Sequence, residues 1–421
     1  MTVTAGFGSA SEDRRLAGSA AYPAVVGSVL VLAAMPVAMA LANRSAPLFL
    51  GLAAVLALIS TAAALGWRGL WRVLVSGLTS PFGLAGAAFV LLALLSYGWS
   101  VDRAQSLRAL SEAAVPLIAG AAIFVLLPRV APSWTVRALA LGAIAGALIC
   151  IVELKFNMPF RTAMHLRVKA FEYNRPVLTL LALFWPLLAA ALGSRRDLLL
   201  WLALALTVVA IWVSYSGTAM MAQAVSAAAV LVAWRFPRAA LWTAAIAVAV
   251  VFASIFAFGD LAWRLLPDSI YRLLDWTHAA DRVEIWRSFG AAMLLHPWLG
   301  AGFGTSVTLG DTAIAGQVAP ELQRMLSVGH PHNGYLQVGV ELGLVGCVLA
   351  LAMLLALLRS WNSLTGRPLY ARLGLFTMAA ATMLVGHGAW QAWWIAVLFA
   401  GGAAARILAR ASAPQPDGSV T

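Results

Sequence analysis

Charge is scarce in this chain: only 10% of its 421 residues are Asp, Glu, Lys or Arg, against 62% that are hydrophobic. A water-soluble globule needs a charged coat and is excluded, which leaves an integral membrane protein. The polar–apolar alternation of an outer-membrane barrel is missing too, whereas apolar runs near the ~20 residues of a membrane-crossing helix recur throughout. Cysteine is nearly absent: Cys150 and Cys347 both fall inside apolar runs, so they report no disulfide framework. There is no HExxH, no Walker GxxxxGK and no Asp-x-Asp of the kind that holds a metal on a nucleotide-sugar. GAGFG (Gly300–Gly304) follows no strand and is no dinucleotide loop. ATP, a tightly held metal and other cofactors are therefore not expected.

What is present is an all-α polytopic pattern, a single transmembrane domain over 1–421. Apolar spans are expected at 22–42, 46–66, 80–98, 109–128, 134–154, 176–193, 198–214, 218–234, 239–258, 334–358, 371–387 and 390–408. Twelve crossings put both termini on one side. The connectors after every second span carry Arg68 and Arg72, Arg129 and Arg137, Arg195 and Arg196, Arg235 and Arg238, then Arg359, Arg367 and Arg372. With Arg14, Arg15, Arg406 and Arg410 in the tails, this side is expected to be cytoplasmic. The net charge of +12 is then chiefly a topology signal, and nucleic acid is not an expected partner. AMALA (Ala38–Ala42) could serve a signal peptidase, but its apolar run is long for a signal peptide. The tail 411–421 is expected to be disordered.

Two connectors on the opposite side far exceed the usual helix-to-helix length, which points to function. The segment 155–175, KFNMPFRTAMHLRVKAFEYNR, sets Lys155, Arg161, Arg167, Lys169 and Arg175 against Glu172 alone. Cations gathered where the positive-inside rule depletes them suit an anionic substrate, with lipid head groups as the alternative. The loop 259–333 is slightly acidic. Within it DRVEIWRSFGAAMLL (Asp281–Leu295) spaces Val283, Trp286, Gly290 and Met293 by three and four, as in a helix lying on the bundle or bilayer. Arg282 and Arg287 on that helix point about 140° apart at ~100° per residue, so they cannot both address one phosphate.

GHPHNGYLQVGVELGLVG (Gly329–Gly346) puts two histidines before an apolar run. A helix starting near His332 carries Tyr335, Leu336, Gly339, Gly343 and Gly346 on one face, within about 60° of the histidine. Such a glycine stripe admits a close neighbour, and helix packing alone accounts for it. It does not account for His332, whose place at a helix N-terminus disfavours the imidazolium and keeps a neutral base available. His330 takes a supporting position, and Glu341, on the opposite face, is expected to pair inside the bundle.

These residues resemble the O-antigen ligase and polymerase superfamily of bacterial membrane glycosyltransferases. His332-Asn333, nine residues, then Gly343 and Gly346 fits its His-Asn, Gly-x-x-Gly pattern. DRVEIWRSFGAAMLLHPWLGAGFG (Asp281–Gly304) is similar to its Arg…Trp…Pro-Trp-Leu-Gly-x-Gly segment, and YGWSVDRAQSL (Tyr97–Leu107) is also similar. The resemblance implies a GT-C-like membrane enzyme at the bacterial inner membrane with a periplasmic active site. It would move a glycan from undecaprenyl diphosphate to lipid A core, among membrane lipids, by inverting displacement without metal. His332 maps onto the essential histidine and Arg282 onto the arginine before the Trp segment. An arginine the family usually has near the seventh and eighth spans is replaced by Gly217 in SYSGTAM, so Arg175 or Arg161 would take its place. Arg287, Asn333 and Tyr335 complete the candidate substrate contacts. An O-antigen polymerase or a protein O-oligosaccharyltransferase would carry the same residues. A secondary transporter or flippase, the reading from another class, should show internal repeats and helices broken at the membrane midplane, and neither is expected here.

Overall fold

The computed structural model describes residues 17–273 and 278–411; Arg14, Arg15, Asp275 and the tail 412–421 lie outside them, and Ala411 closes the last helix. Twelve long apolar helices follow in chain order: α1 (Tyr22–Leu41), α2 (Ala46–Leu78), α3 (Pro81–Leu95), α4 (Arg103–Val130), α5 (Thr135–Lys155), α6 (Asn174–Gly193), α7 (Leu198–Val213), α8 (Gly217–Arg235), α9 (Pro237–Ser254), α10 (Gly334–Arg359), α11 (Gly366–Val385) and α12 (Ala392–Ala411). Ten are long and apolar enough to cross a membrane, and α7 and α12 contribute shorter apolar stretches. The chain is an all-helical, multi-pass membrane protein. Polar residues set the helix starts: Ser80, Asp102 and Ser216 accept hydrogen bonds from the first-turn amides of α3, α4 and α8.

Alternate connectors meet at the same end of the bundle. At one end Asn43 donates to the Glu172 carbonyl, Trp99 Nε1 to Leu299, and Gly386 lies against Thr218 and accepts from His332. At the other, Arg137 pairs with Asp197 at 3.1 Å among the arginine-rich connectors. The two ends therefore segregate as alternating crossings require. All six non-glycine residues with positive φ among the described residues, Asn157, Met158, His165, Tyr215, His278 and His332, lie in connectors at the end opposite the Arg137–Asp197 pair. Local strain of this kind collects at functional sites.

The long connector is mostly helical, with Phe258–Leu265 and Ala279–Leu295 its main elements. Val283, Trp286, Gly290 and Met293 are all buried, so the three-and-four spacing marks the packed face of Ala279–Leu295. Met293 Sδ would stand 2.6 Å from a Cβ at Gly339 of α10, so a side chain there would require Met293 to shift.

Two long helices are broken: α2 at Gly66 (φ 69°, ψ 169°), where the expected span 46–66 ends, and, contrary to expectation, α10 at Gly343 (φ 64°, ψ −163°). The break in α10 ends the supposed glycine stripe and is closed by the outer connector. Regular helix would pair the amides of Leu344 and Val345 with the carbonyls of Val340 and Glu341. Instead these amides donate to Pro297 and Trp298, while the freed carbonyls accept from Ala301 and Gly302 at 2.9 Å each. Residues 297–302 are thus threaded into the helix's own hydrogen-bond ladder. These four main-chain groups stay satisfied, as a nonpolar surround demands. A Cβ on Gly300 would lie 2.4 Å from Glu341 C, and one on Gly302 2.6 Å from Ser100, so these glycines are spaces for crossing backbone.

The segment Tyr97–Leu107 completes the junction. Val101 N donates to Ala301, Ser96 and Ser106 hydroxyls bond Phe303, and Asp102 accepts from Thr308 while capping α4. Glu341, fully buried, accepts from Gly304 N, Ser306 N, Gln337 Nε2 and Trp390 Nε1, pairing inside the bundle as expected.

Candidate active site

At the end opposite the Arg137–Asp197 pair, three histidines converge from two connectors: His330 and His332 before α10, and His387 between α11 and α12. The His330 and His332 ring centroids are 4.1 Å apart, and the His332 amide donates to His330 Nδ1 at 3.1 Å. His330 therefore carries any neutral-form proton on Nε2. His332 Nδ1 sits 3.1 Å from the Gly386 carbonyl. A carbonyl only accepts, so Nδ1 bears the hydrogen and Nε2 presents a free lone pair.

His332 does not begin the helix. Its φ of 50° is left-handed, and the cap is Asn333, whose Oδ1 accepts from Tyr335 N and Leu336 N. An amide side chain caps better than an imidazole, and His is among the residues that tolerate positive φ. The neutral state consequently has a different main cause from the one expected. Burial holds the His332 imidazole below its ordinary 6.5; the hydrogen bond to Gly386 opposes this, and the Arg282 charge adds to it. Burial, then His332 and Arg175, push His330 down to about 4. Burial, then Arg175 foremost among the charges, takes His387 to about 3.

Arg175 and Arg282 are the cations whose fields reach these rings. Both are half-buried, and among the described residues neither guanidinium donates a hydrogen bond. Arg175 stacks on Trp393, its Cζ 5.5 Å from the ring centroid, while His387 meets the same ring edge-on at 5.0 Å. Stacking fixes a guanidinium without using its in-plane N–H groups, which remain available to an oxyanion. Exposed Arg44 adds its field to Arg175 from the first connector.

The other expected contacts go elsewhere. Arg161 is 6% exposed, gives its Nε to the Arg167 carbonyl at 2.7 Å and lies over Tyr173. Arg287 pairs with Asp260 at 2.9 Å and stacks on Trp263, pinning Phe258–Leu265 to Ala279–Leu295. Tyr335 is 2% exposed, packs edge-on against Phe252 and donates its hydroxyl to Ala380. Asn333 is fully enclosed as the cap, though its Nδ2 has no partner among the described residues. These four residues serve the fold in this structure. Gly217 does lie beside the cluster, because Gly386 abuts Thr218; Arg175 supplies the cation there. Sequence reading missed His387, whose one signal is GHG at 386–388 in a connector on this side. Among the described residues no group of three or more His, Cys, Asp and Glu is arranged to hold a metal ion. A recess of about 470 Å³ between Arg235, Arg238 and Thr365 belongs to the opposite end.

Residues 202–351 match the family model described as O-antigen ligase. Over that stretch the chain is similar to this family. The matched stretch holds Arg282, the threaded segment 297–302, His332 and the broken start of α10, and leaves Arg175 and His387 to the flanking sequence. Candidate polysaccharide ligases of Rickettsia are similar: those of R. prowazekii (strain Madrid E) and R. conorii (strain Malish 7) are each 29% identical over 120 residues, and that of R. felis is 28% identical. Each match covers 28% of this chain and 29% of the relative's length.

Proposed function

We propose that this O-antigen ligase superfamily member transfers a polysaccharide from undecaprenyl diphosphate to a sugar hydroxyl of lipid A core, at the periplasmic face of the bacterial inner membrane. One observation carries the reading: His332, with Nδ1–H held by Gly386 and Nε2 free, stands in the field of Arg282 while its neighbours His330 and His387 stand in that of Arg175, and both arginines are half-buried with no hydrogen-bond partner among the described residues.

Nε2 of His332 takes the acceptor's hydroxyl proton as its oxygen attacks the anomeric carbon. The bond from that carbon to the diphosphate oxygen breaks, the electron pair leaves with the diphosphate, and Arg282 and Arg175 meet the developing charge. A single displacement with no carboxylate nucleophile inverts the anomeric centre. Partial burial of the arginines strengthens their grip, since a charge pair gains as water is excluded.

The base must be unprotonated, and its pKa lies below 6.5. The kcat/KM for donor, which reports the free protein, should therefore be flat above that pH and fall only below it. An acid limb centred above 6.5 would contradict the assignment. To test the acceptor, purified protein is offered lipid A core, carrier-linked repeats and a pilin-like protein in parallel, with carrier-linked glycan as donor. Extension of lipid A core is expected. Extension of carrier-linked repeats or of the protein would instead identify a polymerase or a protein O-oligosaccharyltransferase.

A further inference from the structure

The carbonyl that holds His332 belongs to a connector clamped from two sides. Gly386 N bonds Thr382 at 2.9 Å, and a Cβ there would meet Thr382 O at 2.7 Å and Thr218 Cγ2 at 2.8 Å. Three residues on, Ala389 N donates to Gln337 Oε1 at 2.8 Å, and Trp390 Nε1 donates to Glu341 Oε2 at 2.6 Å. Gln337 Nε2 in turn donates to Glu341 Oε1 at 2.9 Å. Gln337 is 5% exposed and Glu341 fully buried, so this chain of bonds runs out of reach of water. Asn333, Gln337 and Glu341 stand four residues apart, one above another on α10. The same short stretch of helix thus caps itself behind His332, anchors the connector that orients its ring, and receives the amides of Gly304 and Ser306.

We propose that Gln337 and Glu341 are positioning residues for His332, holding residues 386–390 so that the Gly386 carbonyl fixes which ring nitrogen is free. The proposal rests on His332 being the base. The Gln337 amide fits the task because it accepts from the connector with one atom and donates to Glu341 with the other, which no apolar residue of its size can do. Neither residue touches substrate in this scheme.

The test is Gln337→Met, which keeps length and volume but removes both bonds. Proton position is read by ¹⁵N NMR of histidine-labelled protein, with the His332 signals assigned through His332→Gln. Wild type should show His332 as the Nδ1–H form, and Gln337→Met a mixture of both neutral forms. The transfer rate should fall about 10- to 100-fold, the scale of a misplaced catalytic group, with donor KM little changed. The acid limb should move to lower pH, because the Gly386 bond favours the protonated ring. A merely structural role would lower folded yield without moving that limb. Folded Gln337→Met with wild-type nitrogen signals and wild-type rate profile would overturn the proposal. If this variant does not fold, Trp390→Phe deletes the second anchor while keeping its ring, and the same signals decide. Altered His332 signals in a protein that transfers glycan to no acceptor would leave the positioning intact and refute the functional reading instead.

Discussion

Replacing His332 with alanine is expected to slow glycan transfer by about 10²- to 10⁴-fold, the usual contribution of a positioned general base. The protein should fold, since the helix start behind the histidine is capped by Asn333 and the lost ring makes one hydrogen bond to Gly386. Carrier binding should persist, because the groups proposed to hold the diphosphate are Arg175 and Arg282. Single-turnover transfer with bound donor separates the two effects, as it isolates chemistry from binding. A folded His332→Ala protein that retains more than about a tenth of the wild-type rate would remove His332 from the base role.

The second large effect concerns the junction. Gly343 has φ 64° and ψ −163°, a region reserved almost wholly for glycine, and a Cβ there would lie 2.3 Å from Trp298 C and O. Gly343→Ala combines backbone strain of about 1–3 kcal/mol with displacement of the strand that closes the helix, so a loss of about 3 kcal/mol or more is expected. Gly51→Ala supplies the opposite case: that glycine sits inside α2 with nothing within 4 Å, so alanine should be neutral or stabilising by up to ~1 kcal/mol. Thermal unfolding of both variants in one detergent checks the contrast. Equal midpoints would mean that the threaded segment contributes little to stability.

The apolar helices, ten of them long enough among the described residues to cross a membrane, were legible because run length and composition are local properties, and each apolar stretch meets its lipid or its neighbours independently. The break in α10 was not. Leu342, Leu344 and Val345 continue the apolar run straight through Gly343, and what interrupts the helix is a segment more than 40 residues earlier that hydropathy cannot see. Gly343 was the visible trace, and it read equally well as part of a packing stripe with Gly339 and Gly346. At the site, His332 and Arg282 stood out by position and by motif. Arg287 stood out too, yet Asp260 claims it from 27 residues away, a pairing that only the turn between two outer helices creates. His387 was passed over because the expected span 371–387 took it in as its last residue, and only the fold reveals that its neighbour's carbonyl orients His332.

The threading of 297–302 through α10 also limits how such proteins can change. The outer connector cannot be exchanged as a cassette, because part of it serves as main chain for the membrane helix that follows. Residues 297–302 are accordingly constrained by backbone geometry as well as by the chemistry of their side chains.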